Sequence, residues 1–368
     1  RDNVLKVNSM IVNNEEVHIY IDGNYKINYQ GFTLYDDKGA SSQYRAFLFK
    51  KDIDSNFDTK WYYFWDNGYV TKCMHNKKKY VIKICFKYTI SAIKRWYQLN
   101  FVAPKMDIIF VQKACVPKMK NHFLNRAKRA GTKIIFDVDD AVYLNSNDNS
   151  NEIAKASNIV ICGNMNLYNH YLKYNSNTYI LPTVENTLNY EKYWKDTFSL
   201  KTIGWIGSKT TIDNLDLIVE PINNLINKHP EVKFCIISDT ALDYPERISN
   251  CSFIKWDKNT YIEELSKFTI GIMPLKDNEY NHGKCGFKLI QYLNMKKPVI
   301  GSDIGVNGEI INKNGLIIHS ERDWEDAFET LLFDRKLYNN CINEIENSFF
   351  KTYHYNVICK KLIKLMDA

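Results

Sequence analysis

The chain has 368 residues, of which 45% are hydrophobic, 14% aromatic and 25% charged. This composition supplies enough apolar material for two domains and excludes a disordered, collagen-like or disulfide-stapled chain. No apolar run reaches the roughly 18 residues of a membrane-spanning helix, and the nine scattered cysteines form no CxxC pair, which argues against a zinc knuckle or a disulfide framework.

The net charge of +7 is unevenly distributed, because residues 51–150 hold 18 lysines and arginines against 9 acidic residues. This excess favours an anionic partner such as lipid phosphates, and a solvated charged face is the alternative interpretation. Nucleic acid is disfavoured because no nucleic-acid-binding motif accompanies the charge. With reduced cysteines, these features predict a cytoplasmic protein, peripheral on the inner face of the plasma membrane.

The first 30 residues are predicted to be a β-rich extension or hairpin. Residues 17–22 and 25–30 have strand patterns and flank Gly23-Asn24, which is a two-residue hairpin turn signal. Residues 32–35 are predicted to form another short strand, and residues 43–52 a helix.

From residue 60 onward, apolar strands alternate with helices, which is typical of a parallel sheet covered on both faces. We predict an α/β fold with two doubly wound, Rossmann-like parallel-sheet domains, at residues 31–185 and 200–345, and a C-terminal helix at 346–368 that crosses back to the first domain. Strands are predicted at 60–65, 107–111, 133–137, 158–162, 178–181, 202–206, 232–238, 252–256, 270–274 and 298–302, and helices at 83–100, 118–130, 152–157, 167–174, 215–228, 262–268, 287–295, 324–332 and 355–366.

Ligands of open parallel sheets bind at the carboxyl ends of the strands. The loop 204–211 follows a predicted strand and opens a predicted helix, and it combines two glycines with Lys209, as a phosphate site requires. It is neither a Walker A loop nor a GxGxxG motif, and an ordinary turn is the alternative. The loop 283–288 also carries glycines and lysines, and with the turn 305–309 it predicts a diphosphate site.

In the first unit, Asp137-Val138-Asp139-Asp140 follows a predicted strand. As a DxD motif it is a candidate metal site of a single-domain GT-A enzyme, but that does not explain the second sheet. Capping of a loop by aspartate is the other alternative. Arg45 and Lys113 lie in predicted strand-end loops, where they either contact phosphates or are ordinary surface charges.

The motifs together resemble the donor domain of retaining GT-B glycosyltransferases. They are most similar to the large bacterial family, glycosyl transferases group 1 or family 4-like, that builds lipopolysaccharide, capsule and other surface glycans. The resemblance covers residue 32 to the end and is most specific at 203–315. The segments that carry it are Ser42–Arg45, Phe136–Asp140, Gly204–Ser208, Ile270–Leu275, Gly283–Tyr292, Pro298–Ile300 and Gly305–Ile310.

The resemblance implies a GT-B fold that binds a nucleotide-sugar in the interdomain cleft, with no cofactor and no metal. The diphosphate would lie against Gly207, Ser208 and Lys209, opposite Lys288 and the backbone of Gly286 and Phe287. Gln291 stands where the family has a ribose-binding Glu, and Gly283 stands where it has a second Glu, for which His282 or Lys284 would substitute. Lys255 and Trp256 would hold the base. The candidate donor-binding residues are Gly207, Ser208, Lys209, Trp256, His282, Lys284, Gly286, Phe287, Gln291 and Asn307; the candidate catalytic residues are Asp139, Asp140 and Lys288; and the candidate substrate-binding residues are Arg45 and Lys113.

The resulting hypothesis is a retaining glycosyltransferase that uses a UDP- or GDP-type sugar donor and a glycan or lipid-linked acceptor in surface polysaccharide synthesis. Two alternatives remain open. One is a sugar-nucleotide epimerase of the same architecture, and the other is a non-catalytic nucleotide- or glycan-binding module.

Overall fold

A computed structural model of the protein describes residues 7–12, 15–20, 26–74 and 77–367. The described strands lie in one two-stranded and two six-stranded sheets. The strands are β1 (Val7–Val12), β2 (Glu15–Tyr20), β3 (Asn28–Tyr35), β4 (Asp58–Trp65), β5 (Ile108–Gln112), β6 (Lys133–Val138), β7 (Ile159–Cys162), β8 (Thr178–Ile180), β9 (Thr202–Ile206), β10 (Lys233–Ser238), β11 (Cys251–Lys255), β12 (Ile270–Met273), β13 (Val299–Ser302) and β14 (Gly315–Ile318).

Helices alternate with the strands of the two large sheets. They are α1 (Ala40–Arg45), α2 (Lys50–Asn56), α3 (Asn67–Met74), α4 (Lys77–Tyr97), α5 (Asn125–Arg129), α6 (Ser150–Ala156), α7 (Met165–Tyr171), α8 (Leu188–Glu191), α9 (Val219–Lys228), α10 (Tyr244–Arg247), α11 (Tyr261–Leu265), α12 (Glu279–His282), α13 (Phe287–Asn294), α14 (Asn307–Ile311), α15 (Asp323–Phe333), α16 (Arg335–Glu344), α17 (Phe350–Tyr353) and α18 (Tyr355–Asp367). Within the described ranges, no helix is both long and apolar enough to cross a bilayer.

Both large sheets are parallel throughout, with strand orders β4-β3-β5-β6-β7-β8 and β11-β10-β9-β12-β13-β14. Their central strands β5, β7, β12 and β13 are buried over their whole length, as expected for a sheet covered by helices on both faces. The prediction of two Rossmann-like α/β domains is therefore confirmed. In each sheet, a strand order that reverses direction creates a crevice at the carboxyl edge.

The N-terminal region differs from its prediction. The turn Gly23-Asn24 lies outside the described residues, and β1 pairs antiparallel with β2, with Val7 opposite Tyr20. The two strands predicted at 25–30 and 32–35 are one strand, β3, inside the first sheet. Gly31 lies inside this strand. A Cβ at Gly31 would lie 2.1 Å from the ring of Trp61, so the absence of a side chain lets Trp61 pack against the strand.

Three other element predictions were wrong in detail. The helix predicted at 43–52 is divided between α1 and α2, and the helix predicted at 118–130 is only the five-residue α5. Lys113, Lys118 and Phe123 have positive φ angles, which breaks the backbone path before α5. The helix predicted at 215–228 begins as a 3-10 turn and becomes α-helical only at Val219. β14 and α16 had not been predicted.

The last helix, α18, packs on the first domain although it follows the second in the chain. The ring of Tyr355 stacks on Phe49 at 5.5 Å, and its hydroxyl donates to Asp52 at 2.5 Å. Near the end of α18, the Lys133 ammonium donates to the carbonyls of Leu365 and Met366. These contacts hold the two domains around one cleft.

Candidate active site

The crevice of the second domain lies between β9 and β12. These strands pair only at Ile203–Gly204 and Ile270–Gly271 and then separate. The side chain of Tyr292, from α13, fills the gap: its hydroxyl accepts from the Ile206 amide at 2.8 Å and donates to the Ile272 carbonyl at 3.1 Å. The separation opens space at the carboxyl ends of the strands, and α13 points its amino end at that space.

The amino end of α13 has the geometry that an anion site requires. Gly286 precedes it with φ 63°, and a Cβ there would lie 2.3 Å from Ile310, so a glycine is required by both conformation and space. Within the described residues, the amides of Phe287, Lys288 and Leu289 donate to no protein acceptor. Unpaired amides and the helix dipole together favour negative charge at this point.

Lys288 adds a cation to the same place. Its side chain passes Gly207, where a Cβ would lie 3.0 Å from Lys288 Cε, and its ammonium is 5.6 Å from the ring centre of Trp205. Burial, with the positive charge of Lys284 nearby, lowers the pKa of Lys288 to about 7. A bound anion would restore its charge, because it would supply the counterion that the site itself lacks.

The loop after β9 contributes differently from the sequence prediction. Its amides are already satisfied: Gly207 donates to the Ile237 carbonyl at 3.0 Å, and Lys209 donates to Asp239 at 2.8 Å. The Ser208 amide reaches Thr211 Oγ1 at 3.4 Å. The loop therefore does not form the expected backbone cradle, and Gly207 contributes only the space beside Lys288.

A row of side chains leads from the amino end of α13 toward β11. Trp256 follows β11, is 40% exposed and stacks on Tyr261 at 5.8 Å. The Tyr261 hydroxyl and the Gln291 amide both donate to Glu185 Oε1, each at 3.1 Å. Gln291 lies one helical turn after Lys288 on the same face of α13. An aromatic surface, a buried carboxylate–amide pair and a cationic helix end thus follow one another from β11 to the start of α13.

Sequence analysis missed Glu185, which is the last residue of the first predicted domain and lies in no motif. Its side chain is 3% exposed, and burial raises its pKa to about 6, while the neutral donor Gln291 and the neighbouring tyrosines oppose that shift. Gln291 could have pointed to Glu185 in the sequence. A buried amide that replaces a carboxylate needs a hydrogen-bond acceptor for its NH2 group, and Glu185 is that acceptor.

We expect Glu185→Gln to remove a pH dependence of stability. The folded pKa of about 6 exceeds the ordinary 4.5, so the folded protein holds this proton more tightly than the unfolded chain. Its contribution is fully present below pH 4.5 and is lost as the pH rises through 6, a change of about 2 kcal/mol in the free energy of unfolding. Urea unfolding at pH 4.5 and 7 measures the difference between variant and wild type.

The matched control for this prediction is Glu321→Gln, whose exposed side chain leaves the difference between the two pH values unchanged. If Glu185→Gln and wild type lose stability in parallel over this range, Glu185 does not bind the proton as argued.

On the first domain, the predicted acidic pair and Lys113 come together at the carboxyl edge of the sheet. The Lys113 ammonium is 3.2 Å from Asp139 Oδ1 and also pairs with Asp140. Asp139 additionally accepts from Ser41 Oγ at 2.9 Å. Burial raises the pKa of Asp139, whereas for Asp140 the nearby Lys113 outweighs burial and lowers the pKa. The cluster therefore presents an ionised Asp140 at the cleft.

Arg45 does not lie in the cleft, contrary to its predicted role with phosphates. Its guanidinium makes a two-point ion pair with Asp137, with Nη2–Oδ1 at 2.5 Å and Nε–Oδ2 at 3.1 Å. Nη1 donates to the Leu181 carbonyl at 2.7 Å. Both charged side chains are buried, so Arg45 joins α1 to β6 and to the end of β8 beneath the site.

The two domains touch directly beside the acidic pair. The Cys285 thiol donates to the Asp139 carbonyl at 2.8 Å, and the Asn164 amide donates to the carbonyls of Gly283 and Lys284, both at 3.1 Å. A Cβ at Gly283 would lie 2.5 Å from the Cβ of Ala141. The position that corresponds to a family Glu therefore has no room for a side chain while the domains are in contact.

The other predicted donor residues lie around this contact. Lys284 is partly buried near Asp140, and burial lowers its pKa. His282 pairs with Asp277 at 2.7 Å on the surface, and its carbonyl accepts from Asn166 across the domain boundary. Asn307 is buried and donates to the Ser302 carbonyl at 3.1 Å, behind Gly286. Of these, only the Lys284 side chain faces the acidic pair.

The second domain matches a known family. Residues 200–334 match the family model of glycosyl transferases group 1. This region contains Lys288, Gln291 and Trp256, so the matched segment carries the candidate donor side of the cleft. No curated protein matches the chain.

Solved structures share the whole architecture. HepE from Anabaena, in complex with UDP and glucose, superposes with a TM-score of 0.66 at 10% identity over 94% of this chain and all of HepE. A glycosyltransferase from Rickettsia africae gives 0.65 at 13%, covering 93% and 98%. TarM from S. aureus, in a complex that contains UDP, gives 0.58 at 16% over 76% of this chain, and the chain spans 59% of TarM. These likenesses show a GT-B fold.

Proposed function

We propose that this protein is a retaining glycosyltransferase that moves a sugar from a UDP-sugar to a hydroxyl of a glycan or lipid-linked acceptor in surface polysaccharide synthesis. The observation that carries the proposal is the row from Trp256 through Glu185 and Gln291 to Lys288, which lies near Lys284, whose charge acts on Asp140 of the first domain. The family match of residues 200–334 supports sugar transfer, and the UDP in the HepE and TarM structures supports a uridine donor.

The departing nucleoside diphosphate determines the chemistry that is required. When the bond between the anomeric carbon and the β-phosphate oxygen breaks, negative charge develops on that phosphate. The free amides at the start of α13 and the Lys288 ammonium are placed to stabilise it. We propose that donor binding needs no metal, because these protein groups supply the positive potential.

The acceptor would enter from the side of Asp139, Asp140 and Lys113. In the proposed reaction, its hydroxyl oxygen bonds to the anomeric carbon on the face that the phosphate leaves. The hydroxyl proton passes to an oxygen of the leaving phosphate, so the configuration is retained without an enzymatic nucleophile. Asp140 and Lys113 would orient the acceptor through hydrogen bonds to its hydroxyls.

Ligand-induced thermal stabilisation tests the donor. We expect UDP to raise the melting temperature both in EDTA and in Mg²⁺, while GDP, CMP and dTDP raise it less. A nucleotide at 100 times its Kd adds about 2.7 kcal/mol of stability. Stabilisation by UDP only with Mg²⁺ would contradict metal-free binding. Asp139 and Asp140 would then be the candidate ligands of the cation. The absence of any nucleotide effect would contradict the proposed donor site.

Turnover distinguishes the activity from its alternatives. With UDP-sugars and extracted glycan or lipid acceptors, a transferase releases UDP only in step with product, and NMR of the new linkage reports its anomeric configuration. Interconversion of UDP-sugars without acceptor would indicate an epimerase. Tight UDP-sugar binding with neither reaction, across the acceptor panel, would indicate a binding module.

UDP binding should be linked to proton uptake at Lys288. Because burial holds its pKa at about 7 in the free protein, about half of the Lys288 side chains are neutral at pH 7 and gain a proton when the diphosphate binds. Affinity should fall by up to about tenfold per pH unit above 7. Calorimetry in buffers of different ionisation enthalpy measures the uptake. Equal uptake by wild type and Lys288→Met would assign the proton to another group.

A further inference from the structure

Helix α4 exposes a line of large apolar residues, whereas an ordinary surface helix turns polar residues to solvent. Ser91 and Arg95 are buried beneath it, and Arg95 donates to the Thr33 carbonyl at 3.0 Å. On the opposite side, Ile82 is 81% exposed, Phe86 69% and Ile93 60%. At 100° per residue, these three side chains form one ridge that points directly away from the sheet.

The ridge continues through the last residues of α4 to Phe101, which follows the helix. Trp96 and Tyr97 are 43% and 56% exposed, and both rings contact Phe101, edge-on at 5.6 Å and stacked at 5.4 Å respectively. The guanidinium of Arg126, on α5, lies over Phe101 at 4.8 Å. We call the resulting surface the outer face of α4; it consists of Ile82, Phe86, Ile93, Trp96, Tyr97 and Phe101.

The outer face is bordered by positive charge. Residues 77–97 contain six lysines and one arginine and no acidic residue. Lys83, Lys87 and Lys94 lie along one side of the ridge, and among the described residues none of these three forms an ion pair with a carboxylate. An apolar ridge flanked by unneutralised lysines is the pattern of a helix that lies in the interface of a membrane.

We propose that the outer face of α4 docks on the surface of an anionic lipid bilayer. The ridge would enter the boundary between headgroups and acyl chains, where Trp and Tyr rings are favoured, and the lysines would face the lipid phosphates. A second copy of the chain fits this surface less well than a bilayer does. Two such faces would bring their lysines together, and residues 77–97 contain no acidic residue to neutralise them.

The position of α4 gives this docking a consequence for the cleft. The Tyr88 hydroxyl donates at 2.7 Å to the carbonyl of Pro117, in the segment that follows Lys113. Docking through α4 would therefore hold the first domain, which carries Lys113 and the acidic pair, at the bilayer surface. The docking itself does not depend on the proposed transferase activity.

Co-sedimentation of the full chain with vesicles tests the proposal. We expect binding to vesicles of 3:1 phosphatidylcholine to phosphatidylglycerol that weakens with salt, and weak binding to pure phosphatidylcholine. Lys83→Glu with Lys94→Glu should lower binding about tenfold or more, since each interfacial lysine makes a separate electrostatic contribution. Phe86→Ser with Ile93→Ser should lower it similarly, because the buried apolar area is lost.

Matched controls use exposed residues elsewhere. Lys313→Glu with Lys336→Glu carries the same change of charge, and Phe253→Ser removes a ring that is 41% exposed on the second domain. Neither control should reduce binding more than about twofold. Equal binding by the α4 variants and wild type would overturn the proposal. A dimer in sedimentation velocity that the α4 variants abolish, without vesicle binding by wild type, would overturn it in favour of a second copy.

Discussion

Lys288→Met is expected to lower kcat for sugar transfer by about 10²–10³-fold. The side chain leaves the first turn of α13 and passes beside Gly207, where the proposed reaction develops charge on the departing diphosphate. Methionine keeps most of its volume next to Trp205 but removes the cation, so folding should be preserved. Steady-state kinetics with a UDP-sugar donor measure the effect, and the loss should fall mainly on kcat because the charge grows in the transition state.

The matched control for this variant is Lys267→Met. Lys267 is exposed and lies before the amino end of β12, at the opposite edge of the sheet from the crevice. Its substitution should leave kcat within about twofold of wild type. Lys288→Arg should restore part of the rate, since the charge returns in a different shape. If Lys288→Met transferred sugar at the wild-type rate, the leaving phosphate would have to bind elsewhere.

Arg45→Met is expected to destabilise the first domain by about 3–5 kcal/mol. The substitution would leave the Asp137 carboxylate buried without its cation, and the Leu181 carbonyl would lose a donor. Breaking one side of a buried ion pair is far more harmful than replacing both sides. The double variant Arg45→Met with Asp137→Leu should therefore recover most of the loss. Urea unfolding followed by tryptophan fluorescence measures these differences.

An exposed ion pair on a neighbouring helix provides the comparison. Lys50 pairs with Asp54 one turn along α2, with the lysine side chain 43% exposed. Lys50→Met should change stability by less than about 1 kcal/mol. If Arg45→Met left stability intact but abolished transfer, Arg45 would belong to the substrate site after all.

Alternating apolar strands and helices were enough to specify two parallel sheets. The runs at β5, β7, β9 and β12 are short, mostly apolar and rich in isoleucine, and such runs are typical of buried strands in α/β proteins. The loops that carry Asp139, Gly207 and Gly286 could be placed for the same reason, since each directly follows a strand or precedes a helix. Local sequence therefore predicted which loops lie at the carboxyl edges of the two sheets.

Which groups in those loops are available was decided by tertiary contacts. The amides of Gly207 and Lys209 belong to a loop of the expected type, yet Ile237 and Asp239 already accept from them. Arg45 is likewise a cation near a strand end, but Asp137, 92 residues away, neutralises it below the surface. The neighbouring sequence does not distinguish a hydrogen-bond donor that already has an acceptor from one that is free.

Glu185 and Gly283 show the same limit most clearly. Gln291 is a neutral amide, and the carboxylate that accepts its hydrogen bond, Glu185, lies 106 residues away at the end of the first predicted domain. Gly283 lacks a side chain because Ala141 of the other domain occupies the space. Strand and loop positions follow from the periodicity of neighbouring residues, whereas hydrogen-bond partners, burial of charge and space for a side chain depend on atoms that only the folded chain brings together.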